Sequence, residues 1–138
     1  MPTSESFSLY MKTLKKTYLI KAPVDKVWQA LTDPKMIDDW GAGPAQMDDQ
    51  AGTEFKLWGG DIFGKNVEVV PNKKLVQDWF EDDWDQASRV TFDLSQKNGK
   101  AKISLLHENI PDSEAKEIDD GWDSYYLGPM KEYLEMCF

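Results

Sequence analysis

The chain carries one cysteine and one histidine in 138 residues. Cys137 therefore has no partner for an intramolecular disulfide, and His107 has no neighbouring cysteine or histidine with which to complete a zinc set. No apolar run approaches the roughly 18 residues of a membrane-spanning helix. The opening MPTSESFSLYMKTLKK lacks the basic-then-apolar layout of a secretory leader, and a reducing cytoplasm fits these features best. Basic residues are in deficit: 16 Lys and Arg stand against 25 Asp and Glu, a formal net charge of −9. That balance repels phosphate backbones and anionic lipid, which argues against nucleic acid and membrane partners. There is no GxSxG, and Gly59-Gly60 joins two strand-like runs instead of opening a helix, so no nucleophile elbow or nucleotide loop is written here. No cofactor is implied.

What is present suits a packed globule. Hydrophobic residues make up 41% and aromatic residues 12%, enough for one core in a chain of this length. Residues 1–12 are polar and Ser-rich and read as a loose extension ahead of a single domain, 13–138. TLKKTYLIK (Thr13 to Lys21) reads as a first strand with Leu14, Tyr18 and Ile20 on one face. Pro23 suits a helix start, and Val24, Val27, Trp28 and Leu31 form one apolar stripe at helical spacing. Asp33-Pro34 ends that helix and can cap a second, which stops at Gly41.

From Gly52 the period becomes two. Runs beginning at Thr53, Ile62, Lys74, Ser88 and Ala101 read as strands, broken at Gly59-Gly60, Pro71 and Asn98-Gly99. Asn-Gly is a strong hairpin signal. It sets Lys97 opposite Lys100, and so Leu94 opposite Ile103, Phe92 opposite Leu105 and Val90 opposite His107, with the apolar partners on one face. The tail from Asp112 reads helical through Ile118, Trp122, Tyr126, Pro129 and Tyr133, with kinks expected near Gly121 and Gly128-Pro129. The order of elements predicts an α+β domain, an antiparallel sheet with helices on one face.

APVDKVWQALTDPKMIDDW, GGDIFGKNVEVVPNKKLVQDW and GWDSYYLGPMKEYLE resemble the START-like helix-grip (SRPBCC) superfamily. Within it they are most similar to the activator of heat-shock protein 90 ATPase homologue branch. The likeness runs from about Thr13 to Glu135, and departs from the branch's pattern where Gly41 stands in place of a second tryptophan. It implies a bent antiparallel sheet wrapped around a long C-terminal helix, with a pocket between them that in many members holds an apolar ligand. The branch contains co-chaperone domains, so a chaperone partner is also implied, as is a place in the stress response.

The densest chemistry lies in QDWFEDDWDQ (Gln77 to Gln86). A four-residue loop, Trp84 to Ala87, would put Asp83 opposite Ser88, Glu81 opposite Val90, Trp79 opposite Phe92 and Gln77 opposite Leu94. Asp78, Phe80 and Asp82 then face outward, while Asp83 and Asp85 sit at the loop. The spacing of Asp82, Asp83 and Asp85 does not match a calcium loop. In this register Glu81, Val90 and His107 form one inward row, which could serve as an acid–base pair. The plainer reading is a hydrogen-bonded, partly exposed strand-end histidine. Trp58 shares parity with Glu54 and Lys56 and reads as outward; with Phe80 and Trp84 it would make a protein-contact patch.

Two functions remain in view. The first is binding of a small hydrophobic or amphipathic molecule between sheet and helix, without catalysis. Trp28, Leu31, Trp40, Gln77, Trp79, Glu81, Phe92, Leu105, His107, Trp122 and Tyr126 are the cavity candidates. The second is a co-chaperone-like module meeting a protein partner through its acidic, aromatic outer face.

Overall fold

A computed structural model describes residues 11–81 and 84–138. Expectations placed on Asp82, Asp83 and the first ten residues lie outside that set. Strand β1 (Met11–Ile20) leads into α1 (Val24–Thr32) and α2 (Pro34–Trp40); β2 (Glu54–Leu57), β3 (Ile62–Val70), β4 (Lys74–Glu81), β5 (Ser88–Lys97) and β6 (Lys100–Pro111) follow. They form one antiparallel sheet in the order β1-β6-β5-β4-β3-β2. The tail is helical in three parts: α3 (Ala115–Gly121), a wide π-type turn (Trp122–Leu127) and α4 (Gly128–Cys137). This is the expected α+β helix-grip architecture.

Local rules account for much of it. Asn98 and Gly99 both take positive φ, 50° and 78°, the twist that suits a two-residue hairpin. The β5–β6 register follows as predicted, with Leu94 opposite Ile103, Phe92 opposite Leu105 and Val90 opposite His107. Gly64 lets β3 and β4 approach closely, since a Cβ there would lie 1.8 Å from the Asp78 carbonyl oxygen. Asp33 caps α2 by accepting from the Lys35 amide at 3.0 Å. The predicted stripe on α1 buries Val27, Trp28 and Leu31 fully and Val24 partly. The Trp40 indole donates to the Ala30 carbonyl at 2.9 Å and joins α2 to α1.

One pairing differs from expectation. Trp79 lies opposite Ser88, Gln77 opposite Val90 and Leu75 opposite Phe92, a slip of four from the register with Asp83 at Ser88. Glu81 pairs with Ile62 on β3 instead of Val90, so the row of Glu81, Val90 and His107 does not form. An even slip keeps every side chain on its predicted face while changing every partner. The chain turns directly after β4 instead of extending the strand. The Trp84 amide donates to the Glu81 carbonyl at 3.1 Å, and its indole reaches Glu114 at 2.7 Å.

Between the glycines where kinks are expected, the C-terminal helix widens into a π-type turn. Pro129 has no N–H for an α-helical bond, and a Cβ on Gly128 would sit 2.1 Å from the Asp123 carbonyl oxygen. The widened turn buries both Trp122 and Tyr126, whose centroids are 4.7 Å apart. β1 holds it from outside: Lys16 pairs with Asp119 and Asp123, and the Tyr18 hydroxyl donates to Asp123 at 2.5 Å. Burial and this bond push the Tyr18 hydroxyl up to about 12, while Lys16 and Tyr18 hold the Asp123 carboxyl below its ordinary range.

Candidate functional site

The inner sheet face presents Gln77, Trp79, Ser88, Phe92, Leu105 and His107 to the helix, all buried. Polar groups in this apolar space need partners. Asn66 donates to the Asp48 and Gln50 carbonyls at 3.0 and 3.2 Å, Gln77 donates to Asn66 at 2.9 Å, and the Trp79 indole donates to Gln77 at 2.8 Å. Gln77 is thus a connector in a closed chain of hydrogen bonds.

His107 is 1% exposed, where the plainer reading had it partly exposed. The Trp122 indole N–H, which can only donate, meets its Nδ1 at 2.9 Å. The neutral ring must then carry its proton on Nε2, which faces the Ser88 Oγ at 2.8 Å. Ser88 in turn donates to the Trp79 carbonyl at 3.4 Å. Burial holds the imidazole neutral, with its proton affinity lowered to about 3. Protonating it would set two N–H groups against each other at Nδ1. The arrangement makes His107 an acceptor that fixes the Trp122 ring.

Next to this network the interior is open. A cleft of about 420 Å³ lies where β3 begins and β4 ends, closed on its far side by α3 and the widened turn. Ile62, Trp79, Phe80 and Glu81 line it from the sheet, and Trp58 and Asp61 from the β2–β3 turn. Trp84 contributes from the β4–β5 connection, Glu114, Glu117, Ile118 and Gly121 from the helical side, and Trp122, Tyr125 and Tyr126 from the turn, with His107 behind. No lysine or arginine lines it among the described residues.

Tyr126 stands out in this wall. Its ring touches Trp40, Trp122, Phe92 and Trp79 at centroid distances of 4.8, 4.7, 5.7 and 6.0 Å. It is 2% exposed, and its hydroxyl has no hydrogen-bond partner among the described residues. Burial pushes that hydroxyl well above the usual tyrosine range. An unanswered buried hydroxyl costs about 1–3 kcal/mol.

Of the cavity candidates, Trp79, Glu81, His107, Trp122 and Tyr126 line the cleft. Trp28, Leu31, Trp40, Phe92 and Leu105 pack in the core instead, and Gln77 lies in the hydrogen-bond chain. Trp58 does not face outward as its parity suggested: with φ of 50° it turns out of strand alternation, donates to the Gly41 carbonyl at 3.1 Å and joins the cleft wall. Trp84 likewise folds back onto Glu114, leaving Phe80 stacked on Phe63 at 5.5 Å on the outer face. The residues missed by sequence reasoning are Asp61, Ile62, Glu114, Glu117, Ile118, Gly121 and Tyr125. A four-residue spacing through Glu114, Ile118, Trp122 and Tyr126 was the available signal for the helical side.

The model of the family described as Activator of Hsp90 ATPase homolog 1-like protein matches residues 21–135. The chain is 25% identical over 122 residues to the Homo sapiens activator of 90 kDa heat shock protein ATPase homolog 1, covering 87% of this chain and 36% of that protein. It therefore spans about a third of that relative's length. Among solved structures it resembles an HSP90 activator from Plasmodium falciparum, with a TM-score of 0.81 and 26% identity over 88% of this chain and 95% of that one. It shares the fold of the Aha1 dimer from Colwellia psychrerythraea, with a TM-score of 0.80, 20% identity and coverage of 91% and 97%. No helix among the described residues is long and apolar enough to cross a membrane.

Proposed function

We propose that this chain, which belongs to the Activator of Hsp90 ATPase homolog 1-like family, binds a small amphipathic molecule in the cleft between its sheet and its C-terminal helix. The observation that carries the reading is the cleft itself, a cavity of about 420 Å³ walled by Trp58, Trp79, Trp84, Trp122, Tyr125 and Tyr126. Clefts of that size walled largely by aromatic and apolar side chains are the usual form of a small-molecule site. The π-type turn that supplies Trp122 and Tyr126 adds support, since such turns are frequent at functional sites. His107 serves the site by holding Trp122 in place.

Gly121 offers a clean test. It lines the cleft on ordinary helical backbone, and a Cβ added there would meet no atom closer than 4.0 Å. Native mass spectrometry of freshly purified protein should reveal a denaturation-labile added mass, and Gly121→Leu should lose it while remaining folded. A labile mass retained by Gly121→Leu would place the ligand elsewhere and defeat the reading.

A second reading, docking onto an Hsp90-class chaperone, rests on the names borne by the relatives. The Phe63–Phe80 stack is its candidate contact. Calorimetry with a purified Hsp90 should then register binding that Phe63→Ser weakens. Binding untouched by that change would remove the outer face from the contact.

A further inference from the structure

The helical wall of the cleft is anchored at one end and not at the other. α4 buries Met130 and Leu134 in the core. The π-type turn buries Trp122, Tyr126 and Leu127, and Trp122 is pinned by His107. α3 has no buried residue: Ile118 packs only partly against the core, and α3 residues line the cleft. Packing of an apolar face supplies most of a helix's stability in a folded protein. A segment without it belongs to the low-stability part of the fold.

Polar contacts hold α3 instead. Lys16 of β1, its side chain 15% exposed, pairs with both Asp119 and Asp123. Those carboxylates stand on either side of Gly121: Asp119 on α3, and Asp123 on the anchored turn, where the Tyr18 hydroxyl also holds it. Lys16 therefore bridges a fixed segment and a weakly held one. At the other end of α3 the Trp84 indole donates to Glu114 from the β4–β5 connection, and Lys12 pairs with Asp112. Gly121 itself has ordinary helical φ and ψ, −63° and −37°, and a Cβ there would meet no atom closer than 4.0 Å. Neither conformation nor crowding calls for glycine at this point, so what it adds is backbone freedom, at a cost to the helix relative to alanine. We propose that α3 is a latched lid, which pivots at Gly121 and opens the cleft when Lys16 releases Asp119 and Trp84 releases Glu114. The motion does not depend on what the cleft takes.

The test is hydrogen–deuterium exchange of the full chain, read by mass spectrometry. Peptides over Ala115–Gly121 should exchange well before those of β5, β6 and α4. Asp119→Asn removes the partner of Lys16 on the lid and leaves the contacts of Asp123 in place. It should speed exchange in α3 about two- to fivefold, the scale of one partly exposed ion pair, and leave α4 unchanged. Gly121→Ala should act in the opposite direction and slow α3 by about the same factor, because it stiffens the pivot. Three results would each overturn the lid: α3 amides as slow as those of β5 and β6, a rise in Asp119→Asn that is absent from α3 or spread evenly over the chain, or Gly121→Ala exchanging as fast as the unaltered protein.

Discussion

At the α1–α2 end of the interior, rings pack against one another and their polar atoms are answered. Trp40 lies edge-on to Tyr126 at 4.8 Å and donates to the Ala30 carbonyl, and Leu31 and Phe92 have no exposure at all. At the other end, tryptophans as large stand around an opening, and Tyr126 carries a hydroxyl with no partner among the described residues. The composition of the two ends is similar, so hydrophobicity does not distinguish them. What differs is backbone geometry. The closed end is two regular helices, while the open end draws on a positive-φ turn at Trp58, the connection that carries Trp84, and a π-type turn.

The comparison breaks most directly at Trp122, which belongs to both ends. Its ring stacks on Trp79 at 4.9 Å, meets Phe92 at 5.8 Å and donates to His107. Trp122→Ala should cost about 3–5 kcal/mol of stability in urea unfolding. A cost below about 1 kcal/mol would mean that Trp122 is only a wall of the cleft and no part of the core.

His107 comes next. Unfolded, the ring takes a proton near its ordinary 6.5; folded, it resists to about 3. Between those values the unfolded state binds more protons, so stability falls as pH drops, by about 1.4 kcal/mol per pH unit from this residue. His107→Gln can still accept from Trp122 and donate to Ser88, and should remove that part of the slope. Parallel pH profiles of melting temperature for the two proteins would contradict the buried neutral assignment.

Tyr126→Phe sharpens the contrast in the opposite direction. Removing an unanswered hydroxyl should leave stability unchanged or raise it by about 1 kcal/mol. A loss of stability of that size would reveal a partner for the hydroxyl in the folded protein. The smallest effect belongs to the rim: Glu117→Gln should move stability by less than about 0.5 kcal/mol, measured by the same unfolding.

The sequence carried the fold further than the site, for physical reasons. Period-two alternation fixed which way Gln77, Trp79, Phe92 and His107 point, and Asn98-Gly99 fixed the β5–β6 register residue by residue. Gly121 and Gly128-Pro129 bracket the π-type turn, because missing donors and close backbone approaches are local properties. The β4–β5 register was not legible, since the geometry of its connection depends on Trp84 reaching Glu114 thirty residues away. Trp58 was misplaced because parity assumes extended backbone, which a φ of 50° abandons. Whether rings fill or line an interior is a question of volume across elements distant in sequence, and no alternation pattern encodes it.

The six tryptophans provide the decisive measurement. Their indole N–H signals in a nitrogen-15 correlation spectrum report on both ends of the interior at once. The protein should be titrated with phenylbutanol, a small amphipathic probe. The account predicts that signals of Trp58, Trp84 and Trp122 move with the ligand while those of Trp28 and Trp40 stay in place. Movement centred on Trp28 and Trp40, or a spectrum indifferent to the probe, would contradict the assignment of the open end as a binding site.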